Sequence, residues 1–204
     1  NLLDGLLPES AIDHEEKAFE KRYGLKCAEP LIRIRFLDKA LAIGPRWMDT
    51  SLPLPDFRLL NCACKNIFIT ENKMNFLTLP QLPDSIAIWS GGGFNISYLK
   101  DIPWITHAQC YYWGDLDAQG LQILNQFRNY YPSALSLMMN WNTFHKYRHL
   151  VKEGTPASLQ TLPLLTEEEQ ELYRHLQENN FRLEQEQIPH VDVVTYLCIC
   201  LNVD

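Results

Sequence analysis

AQCYYWGDLDAQGLQILNQFRNY, residues 108–130, is the stretch of the chain that decides the fold. It begins with a short apolar and aromatic run, residues 108–113, which predicts a strand buried on both faces of a sheet. The run ends at a glycine and an aspartate, and residues 118–130 then place leucine and phenylalanine side chains at helical spacing. A buried strand that turns directly into an amphipathic helix is typical of an α/β protein.

Further short runs along the chain have the same character. Residues 66–70 (NIFIT) and 85–90 (SIAIWS) precede the central stretch, and residues 134–139 (ALSLMM) follow it. Helices are predicted between and after these runs, at about 94–100 and at 166–178, where a Thr-x-x-Glu capping box marks the start. The alternation of strand and helix predicts an α/β fold with a mainly parallel, Rossmann-like sheet flanked by helices.

The N-terminal part of the chain has a different pattern. Residues 13–22 (DHEEKAFEKR) predict a helix, and residues 31–37 (LIRIRFL) alternate apolar and basic side chains, as in an edge strand with one solvated face. A proline-rich connector follows at about 40–60 and is the best candidate for a domain boundary. We therefore predict a small α+β appendage at 1–58 and the main domain at 59–204.

The composition predicts a soluble globular protein. Of the 204 residues, 46% are hydrophobic, which is enough for one well-packed core. No apolar stretch approaches the roughly 20 residues needed to span a bilayer, so we expect no membrane association. The six cysteines include two C-x-C pairs. These could hold zinc, but zinc ligands are usually spaced by two to four residues, and reduced thiols in the cytoplasm are the favoured interpretation.

The charge distribution is compatible with a nucleic-acid partner. The formal net charge is −7, but residues 1–150 carry 15 basic and 15 acidic side chains, whereas residues 151–204 carry 3 and 10. Within the balanced part, basic residues concentrate at 17–35, and Arg33 and Arg35 lie on the predicted strand. This segment is a candidate DNA contact because it could face a phosphate backbone. The alternative is an ordinary solvated helix with charged flanks.

Three acidic side chains follow the predicted strands. Glu71 comes directly after one buried run, and Asp115 comes after another with a single glycine between, with Asp117 two residues further on. Since the carboxyl ends of parallel strands meet at one edge of a sheet, these acids are predicted to lie together. Gathered carboxylates repel one another unless a cation binds them, and Mg²⁺ prefers such oxygen ligands. The alternative is that the Asp-x-Asp pair belongs to a surface turn.

The order strand–Glu, then strand–Asp-x-Asp-x-x-Gly–helix, resembles the Toprim domain of topoisomerases, primases and related nucleases. The stretch 114–124 (GDLDAQGLQIL) is similar to the corresponding turn in the A subunit of topoisomerase VI. A closer resemblance is to the JetD family, the nuclease subunits of the Wadjet bacterial plasmid-defence system. It is carried by residues 67–80 (IFITENKMNFLTLP), 111–124 (YYWGDLDAQGLQIL), 182–188 (RLEQEQI) and 30–38 (PLIRIRFLD).

Carried over residue by residue, the resemblance implies a Toprim-like metal centre for Mg²⁺ or Mn²⁺. Glu71 matches the glutamate that is a metal ligand or general acid/base in the family, and Asp115 and Asp117 match its metal-binding aspartates. Glu184 lies in the late acidic motif and is the preferred extra ligand, for a second cation, with a helix-surface acid as the competing interpretation. Lys73 could neutralise a DNA phosphate or be an ordinary solvated lysine.

The resemblance also implies the function. A Toprim-like catalytic domain with a helical C-terminal extension, at 59–204, would act as a Mg²⁺-dependent endonuclease on double-stranded plasmid DNA, beside an SMC-like, condensin-type ATPase complex. Residues 1–58 would be the remnant of a DNA-binding, winged-helix-like region and its connector, since the chain begins at Asn1 without an initiator Met. A homodimer is expected because two related active sites can cut both strands.

Alternatives to this function follow from the same residues. A non-catalytic Toprim-like module would dock DNA or a protein partner, and the acidic segment 151–204 favours it. A haloacid-dehalogenase-like phosphatase would carry its aspartate pair after the first strand, whereas here the pair follows the third. Topoisomerases need a tyrosine nucleophile, and nothing marks Tyr23, the single tyrosine before the Toprim-like region, as that residue. We therefore expect hydrolysis by a metal-activated water.

Overall fold

The fold is built around a six-stranded sheet, and the computed structural model describes residues 2–26, 29–42, 47–89, 91 and 93–202. The strands are β1 (Leu31–Phe36), β2 (Asp49–Pro53), β3 (Asn66–Thr70), β4 (Ser85–Trp89), β5 (Gln109–Trp113), β6 (Leu135–Ser136), β7 (Lys152–Glu153) and β8 (Phe181–Arg182). The α-helices are α1 (Phe19–Arg22), α2 (Leu54–Arg58), α3 (Lys73–Thr78), α4 (Ala118–Tyr130), α5 (Trp141–Lys146), α6 (Glu167–Glu178) and α7 (His190–Leu201).

The sheet has the strand order β2-β1-β4-β3-β5-β6. Strands β4, β3, β5 and β6 run parallel to one another, and β1 pairs antiparallel with β4. The prediction of an α/β protein with a mainly parallel sheet flanked by helices is therefore confirmed. The prediction that β1 is an edge strand is wrong, because β2, which follows it in the proline-rich segment, pairs along its outer side.

The central strands are buried on both faces, as their continuous apolar runs require. Ile67, Phe68 and Ile69 of β3 are fully buried, and so is Tyr112 of β5. Strand β5 leads into α4, which has the bounds that the apolar spacing predicts, whereas the predicted helix at 94–100 is a 3₁₀ helix. Because β3 and β5 pair in parallel, with Thr70 opposite Trp113, their carboxyl ends lie side by side at one edge of the sheet.

A two-stranded ribbon lies outside the main sheet. Strand β7 pairs antiparallel with β8, and Lys152 is opposite Arg182. Directly after β8, Leu183 and Leu116 exchange both backbone hydrogen bonds, at 3.0 and 3.1 Å. Both leucines are fully buried, so apolar burial fixes this bridge. The bridge places the residues that follow β8 against the turn that follows β5.

The chain divides into two compact units between residues 31 and 32. In the described part of the first unit, the predicted helix at 13–22 is restricted to α1. The reason is local, because the side chains of Asp13 and Glu16 accept hydrogen bonds from the backbone N–H groups that follow them. The second unit holds the sheet from residue 32 onward, so the sheet extends across the boundary predicted near 58.

Helix α6 starts with the predicted capping box. The Thr166 hydroxyl accepts from the Glu169 N–H at 3.2 Å, and the Glu169 carboxylate accepts from the Thr166 N–H at 2.9 Å. Glu169 also pairs with Arg128 near the end of α4, so the two helices are linked at this point. Among the described residues, no helix combines the length and the apolar character needed to cross a membrane.

Candidate functional site

An acidic cleft of about 280 Å³ lies at the carboxyl ends of β3 and β5. Its lining residues are Glu71, Asn72, Asp115, Asp117, Gln119, Gly120, Thr155 and Arg182. The structure thus brings Glu71 together with the two aspartates of the Asp-x-Asp pair, although 44 residues separate Glu71 from Asp115 in the chain. Parallel pairing is the cause, because it gathers distant strand ends at one edge of the sheet.

Glu71 is positioned by the pairing of β3 with its two neighbours. Thr70 is opposite Trp113 in the register, and the Glu71 N–H donates to the Trp113 carbonyl oxygen at 3.2 Å. The indole N–H of Trp89 donates to the Glu71 carbonyl oxygen at 2.9 Å. The Glu71 side chain in turn accepts from the Asp115 N–H, at 3.3 Å to Oε2. These contacts fix the glutamate at the end of β3.

Backbone N–H groups also hold the two aspartates. Asp117 is the N-cap of α4, and its Oδ1 accepts from the Gly120 N–H at 2.7 Å, as is common for aspartate at a helix start. Asp115 Oδ1 accepts from the Gln185 N–H at 3.2 Å. Each of the three acids therefore has one carboxylate oxygen fixed by the backbone, so little reorganisation is needed to bind a ligand there.

Two glycines provide the space for this arrangement. A Cβ on Gly114 would lie 2.5 Å from Glu71 Oε2 and 2.7 Å from the Tyr112 hydroxyl oxygen. A Cβ on Gly120 would overlap the carbonyl oxygen of Asp115 and lie 3.1 Å from its carbonyl carbon. A side chain at position 120 would therefore overlap the backbone of Asp115, whereas one at position 114 would require the side chains of Glu71 and Tyr112 to move.

Gly120→Ala is expected to lower the free energy of unfolding by about 2 kcal/mol, because overlap with backbone atoms of Asp115 outweighs the better helix propensity of alanine. Urea unfolding followed by circular dichroism measures the change. Gly5→Ala is the matched control, since a Cβ there meets no atom within 4 Å, and its effect should stay within about 0.5 kcal/mol. Equal stabilities of the two variants would contradict the proposed overlap.

Arg182 supplies the positive charge in the cleft. Its Nη2 donates to Asp115 Oδ2 at 2.6 Å, and its Nε lies 3.6 Å from Asp117 Oδ2. The same Nη2 is 3.8 Å from Glu184 Oε1. The bridge between Leu116 and Leu183 explains the position, because it sets the end of β8 beside the aspartates.

The acids carry more negative charge than this arginine neutralises. Desolvation, together with the charges of Asp115 and Asp117, raises the pKa of Glu71 to about 7. Desolvation also raises the pKa of Asp117, although the Gly120 N–H and the Arg182 charge act in the opposite direction. Buried acids with raised pKa values in a cleft are often part of a functional site.

The residues fit a hard divalent cation. Carboxylate oxygens are the ligands that Mg²⁺ and Mn²⁺ prefer, and the charge in the cleft favours a cation. Within the described ranges, no group of three or more His, Cys, Asp or Glu side chains is arranged so that it could hold a metal ion. At the acidic cleft Arg182 donates to an oxygen of Asp115, so a cation bound at that oxygen would replace the arginine contact.

Two other predicted site residues lie near the cleft but outside its lining. Glu184 faces Arg182 on one side and Lys152 on the other, with Lys152 Nζ 3.5 Å from its Oε2. Lys73 opens α3, and its Nζ lies 5.5 Å from the centre of a Trp89 ring, a cation–π contact. Metal binding by Glu184 and DNA contact by Lys73 stay predictions.

Arg33 and Arg35 lie on β1, two strands away from β3. Arg33 donates to the Asp49 carboxylate through Nε and Nη2, at 2.7 and 2.9 Å. Arg35 donates to the carbonyl oxygens of Phe76 and Leu77. Both guanidinium groups are therefore engaged within the protein, outside the acidic cleft, and their contact with DNA stays a prediction.

Three residues of the site were missed by sequence reasoning: Arg182, Gln185 and Asn72. Gln185 is buried, and its side-chain oxygen accepts from the Trp113 indole N–H while its backbone N–H holds Asp115. Asn72 caps α3 and donates to Glu186 at 2.7 Å. All three lie in the motifs quoted above, but apolar periodicity cannot pair residues so far apart in the chain.

A family model matches most of the chain. The model described as "Wadjet protein JetD, C-terminal" matches residues 24–197, a range that contains every residue lining the acidic cleft. No curated protein matches the chain. The family match thus agrees with the resemblance carried by the strand ends and by the segment that begins at Arg182.

Proposed function

The chain belongs to the family of C-terminal regions of the Wadjet protein JetD, and from this membership we propose that it is a divalent-metal-dependent DNA endonuclease of an SMC-like bacterial defence system. In this proposal the second compact unit contains a Toprim-like catalytic domain, and its substrate is double-stranded plasmid DNA. The cofactor is Mg²⁺ or Mn²⁺.

One observation carries the proposal: Glu71, Asp115 and Asp117 line a single cleft at the end of two adjacent parallel strands. Desolvation and mutual repulsion there raise the pKa of Glu71 to about 7, which means that the ionised glutamate destabilises the fold. A protein retains such an unfavourable cluster at a site where the charge has a use. Binding a cation that carries a phosphate group is the use that suits three converging carboxylates.

The residues of the cleft have different roles in this proposal. Asp115 and Asp117 would hold the cation, and Glu71 would face it from the neighbouring strand. A bound Mg²⁺ or Mn²⁺ would supply Lewis-acid stabilisation of the negative charge on the phosphate. Gly120 would keep the start of α4 packed against the Asp115 carbonyl oxygen, a contact that a larger residue would prevent. Lys73 would neutralise a further phosphate of the DNA.

The partners follow from the family. We propose that the protein acts beside an SMC-like, condensin-type ATPase complex, and that a homodimer brings two cleavage sites to the two DNA strands. A cytoplasmic location follows from the same proposal, because plasmid DNA and such complexes are found there.

Asp115→Asn is expected to reduce plasmid nicking by about 100-fold or more, because it removes one charge that holds the cation while keeping the size of the side chain. The rate is measured on supercoiled plasmid with Mg²⁺ or Mn²⁺, using the full-length protein together with its ATPase complex. Asp101→Asn, a matched change on the exposed surface, should retain the wild-type rate. Wild-type nicking by Asp115→Asn would refute the assignment.

A non-catalytic module that docks DNA or a protein partner is the second candidate. It is favoured by the Arg182 contact, since a guanidinium 2.6 Å from Asp115 already neutralises this aspartate. Calorimetric titration with Mn²⁺ separates the two candidates. A docking module should show no Mn²⁺ binding that depends on Asp115 and Asp117, whereas the nuclease should lose saturable binding in both Asp→Asn variants.

A further inference from the structure

Arg182 neutralises the aspartates without completing its own hydrogen bonds. Its Nη2 donates to Asp115, but its Nε is 3.6 Å from Asp117 Oδ2, which is beyond hydrogen-bond distance. In the described part of the chain this Nε is buried and has no hydrogen-bond partner. A buried donor without an acceptor is unfavourable. The attraction between the guanidinium and Asp117 is therefore one of charge and includes no hydrogen bond from Nε.

The oxygens that face Arg182 are the ones that the backbone leaves available. Oδ1 of Asp115 and Oδ1 of Asp117 accept from backbone N–H groups, of Gln185 and Gly120 respectively. Oδ2 of each aspartate faces the guanidinium, at 2.6 and 3.6 Å. A divalent cation bound between the two aspartates would need the same two oxygens. Arginine and cation therefore require one position.

We propose that Arg182 is a built-in counter-cation, which holds Asp115 and Asp117 in place until a divalent cation binds and then gives up these oxygens. The inference rests on the proposed function, since it needs a cation at the aspartates. A divalent cation at Oδ2 of the two aspartates would repel the Arg182 guanidinium, so the guanidinium would have to move away. The arginine side chain is 37% exposed, and Glu184 Oε1, 3.8 Å from its Nη2, is an acceptor to which it can move.

Arg182→Gln removes the competing charge and is expected to increase the affinity for Mn²⁺ by about tenfold, the size of one charge-assisted hydrogen bond in a half-exposed site. The metal-free variant should melt at a lower temperature than the wild type, because its aspartates repel each other. Saturating Mn²⁺ should raise the melting temperature of the variant more than that of the wild type. Titration calorimetry and thermal unfolding, with the metal alone as ligand, measure both effects.

Controls make the test specific to the cleft. Arg174→Gln makes the same substitution on the exposed surface of α6 and should leave Mn²⁺ affinity at the wild-type value. Arg182→Lys keeps the positive charge but loses the planar guanidinium group, so its affinity for Mn²⁺ should exceed that of the wild type by only about threefold. If Arg182→Gln fails to fold, Arg182→Lys decides the question alone, and an affinity at or below the wild-type value would overturn the inference.

The outcomes separate this inference from the proposed function. A purely structural arginine predicts that Arg182→Gln binds Mn²⁺ equally or less tightly than the wild type. That result overturns the counter-cation role and leaves the metal-dependent nuclease standing. Absence of saturable Mn²⁺ binding in both the wild type and Arg182→Gln overturns both. Tighter binding by Arg182→Gln, with Arg174→Gln unchanged, supports the exchange of arginine for metal.

Discussion

Glu71→Gln is expected to reduce DNA cleavage by about 10⁴-fold, the upper range for loss of one essential charged group in an active site. Glutamine keeps the length of the side chain and retains an oxygen that can accept from the Asp115 N–H, the contact seen at 3.3 Å. The substitution therefore removes the charge and preserves the shape of the cleft. Loss of cleavage would then report the missing carboxylate.

The same variant is expected to be more stable than the wild type in metal-free buffer at pH 8. Desolvation and the neighbouring aspartates raise the pKa of Glu71 from its ordinary value of 4.5 to about 7. The folded protein thus holds this proton more tightly than the unfolded chain does. Wild-type stability falls as the pH rises from about 4.5 to about 7, by an amount on the order of 3 kcal/mol, and Glu71→Gln lacks this loss.

Urea unfolding at pH 4 and pH 8 measures the stability difference, and plasmid nicking measures activity. Glu178→Gln, at an exposed position near the end of α6, is the matched control and should change neither quantity. A Glu71→Gln protein that cleaves at the wild-type rate would contradict the nuclease proposal. One that is less stable than the wild type at pH 8 would contradict the electrostatic account of the cleft.

The sheet was predictable because buried strands have a strong local signal. The runs that become β3, β4 and β5 are short, apolar and bounded by polar residues, and α4 begins and ends where its leucine spacing indicates. The N-terminal segment was less predictable. Side chains of Asp13 and Glu16 compete for backbone N–H groups there, and the pairing of β2 beside β1 depends on contacts between residues that no periodicity relates.

The candidate site was predictable only in part, for a similar reason. Glu71, Asp115 and Asp117 follow strand ends, so the topology of a parallel sheet is enough to bring them together. Arg182 and Gln185 reach the cleft through the bridge between Leu116 and Leu183, which is a tertiary contact. A basic residue at the start of an acidic motif carries no signal that it neutralises aspartates far upstream. The contacts of Arg182 with Asp115 and Asp117 are seen only in the structure.

Glu169→Gln is expected to lower the free energy of unfolding by about 3–5 kcal/mol, the range for breaking a buried ion pair. The side chains of Glu169 and Arg128 are each only 7% exposed. The carboxylate accepts from the guanidinium at 2.5 and 3.0 Å and from the Ser136 hydroxyl at 2.7 Å. Glutamine cannot neutralise Arg128, so the variant buries a cation without its counter-charge.

The destabilisation should depend on pH in a defined direction. Burial tends to raise the pKa of Glu169, but the hydrogen bonds from Arg128, Ser136 and Thr166 outweigh it and lower the pKa. The ionised carboxylate therefore stabilises the fold above its ordinary pKa of 4.5, and this contribution is lost as the pH falls through the lowered value. Urea unfolding should show the full difference between wild type and Glu169→Gln at pH 7 and a smaller one near pH 3.

A double-mutant cycle shows whether the loss belongs to the pair. Arg128→Met leaves the carboxylate unpaired and should be as harmful as Glu169→Gln, whereas the double variant leaves no unpaired buried charge. We expect the double variant to be about 2–3 kcal/mol more stable than the sum of the single effects, and Glu171→Gln on the exposed face of α6 to be neutral. Additive effects would contradict a direct pair. Because Arg128 lies near the end of the helix that Asp117 caps, the pair also holds in place the element that positions the acidic cleft.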